Sequence, residues 1–471
     1  MQVTFYGAAQ EVTGSKHLLS VGQYKILLDC GSFQGRRQET YLLNKTLPFD
    51  AKQINAVILS HGHLDHSGLL PLLIKKGFKG KIYATSATID IVRWLLLDSA
   101  KIQEQDAKYM GRHKIKGAKR AQPLYNKTDV DKTMKRFIIV PFVSATEQSW
   151  QEILPGLKIK MYQAGHILGS AVTVIQSQLA GQTTTLAYSG DLGRANTPLI
   201  DDPEYIKESV DALILESTYG NRRHDPFSLA VEKIKEVINS TAAKQGKIII
   251  PAFALGRTQE IIYLIHKLMD QGQVPNLPIY VDSPLATHLT EVFKTHRELY
   301  DTEAWQDFLQ SGRYPLAFKN LTYVSKAEDS KKLNTKKGSF IVIAGSGMCE
   351  AGRVLHHLIN GLGDNNNTVL ITGFQAANTL GRRLVEGANK AKLFGHDYPV
   401  RARIEVLNEL SAHADSQDLV DYATNTPNLK KIFLVHGEFN QAQSLQNKLR
   451  LTKHNWQVTI PARGDTFKIN S

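Results

Sequence analysis

The stretch NAVILSHGHLDH, residues 55–66, is an apolar run of strand character that passes directly into a turn carrying His61, His63, Asp65 and His66. A strand end holds the backbone still while the turn fans its side chains to both sides, so one short peptide can serve two cations. Imidazole nitrogen and carboxylate oxygen suit zinc, manganese or iron, with zinc the default. The two cysteines, Cys30 and Cys349, stand far apart in unrelated contexts. They offer neither a disulfide framework nor a thiolate zinc site, which leaves histidine and carboxylate to hold any metal.

Outward from this turn the pattern is that of short strands and amphipathic helices. Upstream lie MQVTFYG, KHLLSV and KILLDCG; downstream come a helical SGLLPLLIKKG closing at Gly77, the strand KIYAT and a helix over about 87–109. The polar interval 110–130, with its basic run Lys114–Arg120, reads as a surface excursion, and strands resume over 137–195. After residue 205 strands and helices alternate regularly (DALILES, KIIIPAF, PIYVDSP, SFIVIAGSG and TVLITGFQ, each followed by a helix), which predicts a parallel sheet flanked by helices. A chain of 471 residues predicts two domains. A net charge of +13 favours polyanionic partners. No apolar run is long enough for a membrane helix, and the N-terminus lacks the pattern of a secretion signal, so no membrane partner and a cytoplasmic location are expected.

Three more candidate ligands recur at or just after strands: His166 in QAGHILGS, Asp191 in YSGDLG and His436 in FLVHGE. The adjacent Gly165, Gly190 and Gly437 allow the backbone to come close to a metal.

The ordered set HxHxDH, His166, Asp191 and His436 resembles the metallo-β-lactamase superfamily, and within it the β-CASP group of nucleases. The likeness is nearest to bacterial and archaeal relatives of the nuclease subunit of the cleavage and polyadenylation specificity factor. LLDCGSFQG, SHGHLDHSG, AGHILGS and SGDLG match the superfamily motifs; LESTYGNRRH, ELSAHAD and VHGE match those of the group. PAFALGRTQE, GSGMCEAGR and GFQAANTLGRR are similar to segments of its inserted domain. The resemblance implies an α/β fold: a metallo-β-lactamase αββα sandwich over 1–205 and 397–471, interrupted by a parallel-sheet β-CASP domain over 206–396. It implies that His61, His63 and His166 hold one metal, that Asp65, His66 and His436 hold a second, and that Asp191 bridges them. Asp29 would orient the metal-binding turn. His413, held by Glu216, would protonate the leaving group, with Asp65 counted in the catalytic set.

The implied activity is hydrolysis of phosphodiester bonds in single-stranded RNA. It would be endonucleolytic, with 5′–3′ exonucleolysis as a second mode, using two zinc ions per chain (manganese the alternative) and a hydroxide shared between them. A homodimer is implied by resemblance alone. In the inserted domain GSGMCEAGR follows an apolar strand and is expected to open a helix, where Ser346 and Gly347 would meet phosphate. Arg257, Arg353, Arg382 and Arg383 are further phosphate contacts in this reading. Tyr219, Phe253 and Phe374 would face a cleft between the domains and stack on bases. The competing readings are a small-ester or thioester hydrolase on the same scaffold and a DNA nuclease, whose branch carries valine at the position of His413.

Overall fold

Burial alternates along Gln2–Gly7 but is continuous along Ala56–Ile58 and Ala212–Glu216. The first pattern suits a strand with one solvated face, the second a strand covered on both faces. The computed structural model describes residues 1–35, 37–112, 122–143, 150–179, 181–373, 375–376, 378–407 and 409–469, and places these segments in two seven-stranded sheets. The basic run Lys114–Arg120 and Phe374 lie outside the described residues. One sheet runs Thr466–Lys468, Gln2–Gly7, Lys16–Val21, Tyr24–Leu28, Ala56–Ile58, Lys81–Ala84, Phe137–Ile139. The other runs Gln457–Thr459, Lys431–Val435, Ala212–Glu216, Gln182–Tyr188, Ala171–Leu179, Leu157–Gln163, Gln151–Leu154.

The two sheets bury a common core. Phe5, Leu19, Ile26 and Ile58 from the first pack with Ile159, Ile175, Leu186, Ile214 and Phe433 from the second. Each outer face is closed by helices. Leu70, Leu73, Val92, Leu96 and Val130 cover Leu27, Val57 and Ile82, while Leu419, Ala423, Leu445 and Leu449 cover Val172, Leu213 and Leu434. The layers are thus helix, sheet, sheet, helix, as expected. The polar interval 110–130, expected to be an excursion, ends in the helix Lys127–Met134, which runs past it and is capped reciprocally by Asn126 and Asp129; Val130 and Thr133 anchor it. One buried apolar contact per turn is too sparse a pattern for periodicity to show.

The chain divides into two compact units: residues 1–195, 202–223 and 413–471, and residues 196–201 and 224–412. These units divide at 223/224 and 412/413, where the sequence reading expects 205/206 and 396/397, and the difference follows strand pairing. Ala212–Glu216 lies parallel between Gln182–Tyr188 and Lys431–Val435, inside the sandwich. Arg403–Val406 pairs with Thr368–Ile371, inside the other unit. Both are apolar strands next to a helix, and local pattern does not say which sheet accepts them.

The second unit carries a six-stranded sheet ordered Leu321–Tyr323, Ile279–Val281, Ile341–Ala344, Ile248–Pro251, Thr368–Ile371, Arg403–Val406, and its paired strands are parallel. Helices supply the packing partners; Leu358 and Leu384 join Ile249, Val342 and Val369. The edge strand Leu321–Tyr323 and the hairpin Lys390–Leu393/His396–Pro399 were not foreseen, being three or four residues long and only partly buried. No described helix is long and apolar enough to cross a membrane.

Candidate metal centre

Every residue expected at the metal site leaves the C-terminal end of a strand in the first unit or follows it within a few residues. Asp29 follows Tyr24–Leu28, the turn 61–66 follows Ala56–Ile58, His166 follows Leu157–Gln163, Asp191 follows Gln182–Tyr188 and His436 follows Lys431–Val435. The turn closes into a single helical turn, Leu64–Ser67, which Ser67 Oγ ties back by donating to the carbonyls of Gly62 and His63. Two glycines make the approach possible. A side chain at Gly31 would run into the Asp65 carbonyl, and Gly190, at φ 55°, lies against Ser60. Asp29 (φ 58°) and His436 (φ 49°) themselves adopt the left-handed region that costs a non-glycine residue energy, a strain that collects at functional sites.

The ligand atoms form two groups that share one carboxylate. His61 Nε2 lies 3.1 Å from His63 Nδ1, and His166 Nε2 lies 3.2 Å from the same atom. Asp191 Oδ2 faces this group, 3.5 Å from His61 Nε2 and 3.7 Å from His166 Nε2. Its other oxygen, Oδ1, faces His66 Nε2 at 3.3 Å and the His436 ring at 3.3 Å, and His436 in turn lies 3.6 Å from Asp65. All seven expected ligands are brought together.

These residues fit divalent cations. His66 Nε2, Asp191 Oδ1 and His436 Nε2 are buried atoms without a hydrogen-bond partner. Each such atom costs about 1–3 kcal/mol, a penalty that a cation accepting their lone pairs removes. Burial pushes His61 well below the ordinary histidine range, so that it presents a neutral ring. Burial would raise Asp65, but His436 and the neighbouring imidazoles hold it down to about 2.

Asp29 is fully buried and orients the turn. Its Oδ1 accepts the Ser60 amide at 2.7 Å; its Oδ2 accepts from His66 Nδ1 at 2.6 Å, Ser60 Oγ at 2.7 Å and Tyr188 OH at 2.6 Å. With its Nδ1 proton held by the carboxylate, His66 turns Nε2 toward Asp191, the outer arrangement typical of metal-bound histidine. Thr218 does related work for His436, with Oγ1 3.2 Å from Nδ1 and donating to the carbonyl at 2.9 Å. Ser60, Tyr188 and Thr218 were missed by sequence reasoning, although each lies within a few residues of a residue already singled out.

Beside the cluster, His413 Nδ1 stands 3.1 Å from both oxygens of Glu216. Glu216 is fully buried and accepts the Leu192 amide at 2.7 Å, whereas His413 keeps 21% of its side chain exposed. Burial lowers the affinity of His413 for its proton, but the Glu216 carboxylate outweighs it and raises the pKa to about 10. The His413 ring lies 4.4 Å from that of His166 and 6.1 Å from that of Tyr219, over which the Arg222 guanidinium sits at 4.4 Å. Arg222 had gone unnoticed in the sequence.

The residues expected to grip RNA lie in the second unit. Arg382 and Arg383 are exposed in the last turn of the short helix Leu380–Val385, Arg382 pairing with Glu386 at 2.7 Å. Arg257 is nearly buried against Glu260 at 2.6 Å. GSGMCEAGR does not open a helix directly: it folds on itself, Ser346 Oγ accepting the amides of Glu350 and Ala351, and the helix begins at Val354. Gly347 packs under Phe253, whose ring is half exposed. Arg353 turns inward, donating to Asp282 Oδ1 at 2.6 Å and to the carbonyls of Val324 and Ser325.

Three family descriptions match the chain: a metallo-beta-lactamase superfamily domain over 18–189, a Beta-Casp domain over 258–384 and a Zn-dependent metallo-hydrolase RNA specificity domain over 397–461. The chain is 34% identical over 451 residues to a ribonuclease of Thermus thermophilus, spanning 96% of each. It is 31% identical over 470 residues to an RNase J-like protein of Methanocaldococcus jannaschii, spanning 99% of each. To the transcription termination factor FttA of Methanosarcina mazei it is 30% identical over 464 residues, 96% of this chain and 70% of that one. A crystal structure of a protein of unknown function from Enterococcus faecalis aligns with a TM-score of 0.54 over 99% of both chains at 13% identity, a likeness of fold alone.

Proposed function

This chain belongs to the β-CASP family of metallo-β-lactamase-fold hydrolases, and from that membership we propose that it is a ribonuclease that hydrolyses phosphodiester bonds of single-stranded RNA. The observation that carries the reading is the division of Asp191, one oxygen toward His61 and His166 and the other toward His66 and His436. We assign His61, His63 and His166 to one metal, Asp65, His66 and His436 to a second, and Asp191 to both, with zinc the preferred ion and manganese the alternative. Bound cations of this kind supply an acidified water and positive charge against a phosphate.

The chain's own groups do the rest. Asp29 fixes the His66 ring so that its lone pair points inward. Glu216 keeps a proton on His413 at neutral pH, and His413 delivers it to the departing ribose oxygen, which would otherwise leave as an alkoxide. Tyr219, half buried beside His413 with Arg222 over its ring, offers a face for a base. In the second unit, Arg382 and Arg383 are exposed and suited to phosphate, and Ser346 and Gly347 complete the proposed contacts. Arg257 and Arg353 spend donors on internal acceptors and act in this reading by holding their loops.

The test is one RNA labelled at either end, incubated with protein of known metal content beside a matched DNA. Internal cleavage of RNA is expected, with release of 5′ nucleotides if the exonucleolytic mode operates. Asp65→Ala is expected to abolish cleavage while RNA remains bound. Undiminished cleavage by that variant would refute the site, and DNA cut as well as RNA would refute the substrate.

A further inference from the structure

The second unit contains a cavity of about 580 Å³ that the proposed chemistry does not use. It lies between the sheet edge at Leu321–Tyr323 and the helix Ala327–Thr335. Its apolar and aromatic lining is Tyr280, Val324 and Leu333, of which Val324 and Leu333 are buried. The Tyr280 ring is held edge-on by Phe340 at 5.6 Å. The rim is cationic: Lys326, Lys332 and Lys336 are all exposed, against one carboxylate, Asp329, which pairs with Lys332 at 2.8 Å. The Lys336 ammonium already sits 5.9 Å from the centre of the Tyr280 ring.

The walls are braced from behind. Asp282 is fully buried, with Oδ1 accepting from Arg353 and Oδ2 accepting from Ser330 Oγ at 2.6 Å and His357 Nε2 at 2.7 Å. Arg353 passes this hold on to the strand-side wall, donating to the carbonyls of Val324 and Ser325, and Ser330 belongs to the helix that forms the other wall. A hollow whose two sides are tied to one buried carboxylate is organised before a ligand arrives, and the ordering cost of binding is correspondingly small.

We propose that this hollow is a second RNA subsite, taking a short single-stranded stretch with a base against Tyr280 and phosphates among Lys326, Lys332 and Lys336. The combination selects the occupant. An inorganic anion has no use for the tyrosine and leucine, and a neutral apolar ligand has no use for three ammonium groups. A strand of nucleotides presents a flat π-face and a negative charge at each repeat. The inference rests on the ribonuclease reading, since that reading makes RNA the polyanion at hand.

The experiment compares full-length protein with K326E/K336E and with K244E/K392E, a control reversing two exposed lysines outside the hollow. Binding of a labelled 30-nucleotide RNA is measured across a salt series without added metal, and turnover of bis(p-nitrophenyl) phosphate is followed with metal present. K326E/K336E is expected to bind roughly tenfold more weakly and to lower the salt slope by about 1.4, the value for two lost phosphate contacts on a single strand. Turnover of the small diester is expected to be unchanged. An unaltered RNA affinity and slope would overturn the subsite, as would an equal loss in the control, or a variant that loses binding of polyglutamate but not of RNA. Wild-type protein that neither binds nor cuts RNA would sink the ribonuclease reading itself, whereas wild type that cuts RNA but ignores the reversal sinks only the subsite.

Discussion

Asp191 and Asp282 look alike in the sequence and differ in what surrounds them. Each follows an apolar strand, each is buried, and each has histidine beside it. In the second unit both oxygens of Asp282 accept hydrogen bonds, from Arg353, Ser330 and His357. In the first, Asp191 Oδ1 has no hydrogen-bond partner, although His66 and His436 stand 3.3 Å away. Buried carboxylates are normally saturated with donors, because an unmet acceptor in a low dielectric is costly. A saturated one is a brace. One that keeps an oxygen without a hydrogen bond among several imidazoles fits a cation site.

The largest effect should come from breaking the open carboxylate. Asp191→Ala removes an oxygen from both metal groups at once, and cleavage should fall by about 10⁴-fold, as several kcal/mol of charge stabilisation disappear. Metal analysis of the purified variant should show the loss directly. Full metal content with full activity would mean that Asp191 is a brace like Asp282.

His413→Ala should cost roughly 10²- to 10³-fold in single-turnover cleavage, the usual contribution of a positioned proton donor. The sharper test is Glu216→Gln, because it separates charge from shape. His413 is raised from an ordinary value of 6.5 to about 10, so the pair's contribution to stability is complete below pH 6.5 and is lost as the pH rises through about 10. The alkaline limb of the rate profile is expected in the same region. Without the carboxylate charge, burial is opposed only by the more weakly raising Asp191 and Tyr219, and the limb should move to lower pH. An unmoved limb would show that another group supplies the proton.

Asp29→Asn acts one step further from the cations and should weaken metal affinity about 10- to 100-fold. Its amide can still accept from Ser60, but it no longer favours the His66 orientation that leaves Nε2 for metal. Tyr188→Phe removes one of the three donors to Asp29 Oδ2 and should produce a smaller loss in the same direction. Isothermal titration of apo protein with zinc reads both. Equal affinity in wild type and Asp29→Asn would reduce Asp29 to a capping group of the turn.

Much of the site could be read from the sequence because metal ligation is local in motif and demanding in residue type. His61, His63, Asp65 and His66 announce themselves as a group. His166, Asp191 and His436 are each ambiguous alone and persuasive only in order. What resisted reading is whatever depends on how distant segments face one another. Nothing local distinguishes Ala212–Glu216, a strand of the sandwich, from Ile248–Pro251, a strand of the other sheet, since both are short, apolar and followed by helices. Arg353 fails for the same reason. A basic residue after a glycine-rich turn suggests phosphate until a buried Asp282, 71 positions away, is seen to occupy it. Tyr188 holds Asp29 and Thr218 holds His436 through a hydroxyl, and a hydroxyl carries no positional signature.

The smallest effect on catalysis, and the most informative about the comparison, is expected from Asp282→Asn. The substitution removes a buried charge and leaves Arg353 facing a neutral amide; breaking such a pair costs about 3 kcal/mol where both partners are buried. Arg353 is 22% exposed, so water recovers part of that, and a loss nearer 2 kcal/mol is expected. It should appear as a lower urea midpoint with an unchanged slope, because the surface exposed on unfolding is the same. Metal content and small-diester turnover should not move, since no ligand of the cluster touches this network. RNA affinity should fall modestly if the walls at Val324–Ser325 and Ser330 need their common anchor. A variant that loses metal would show that the carboxylate saturated by donors and the carboxylate left open are not separable devices, and that the distinction drawn between brace and cation site fails in this fold.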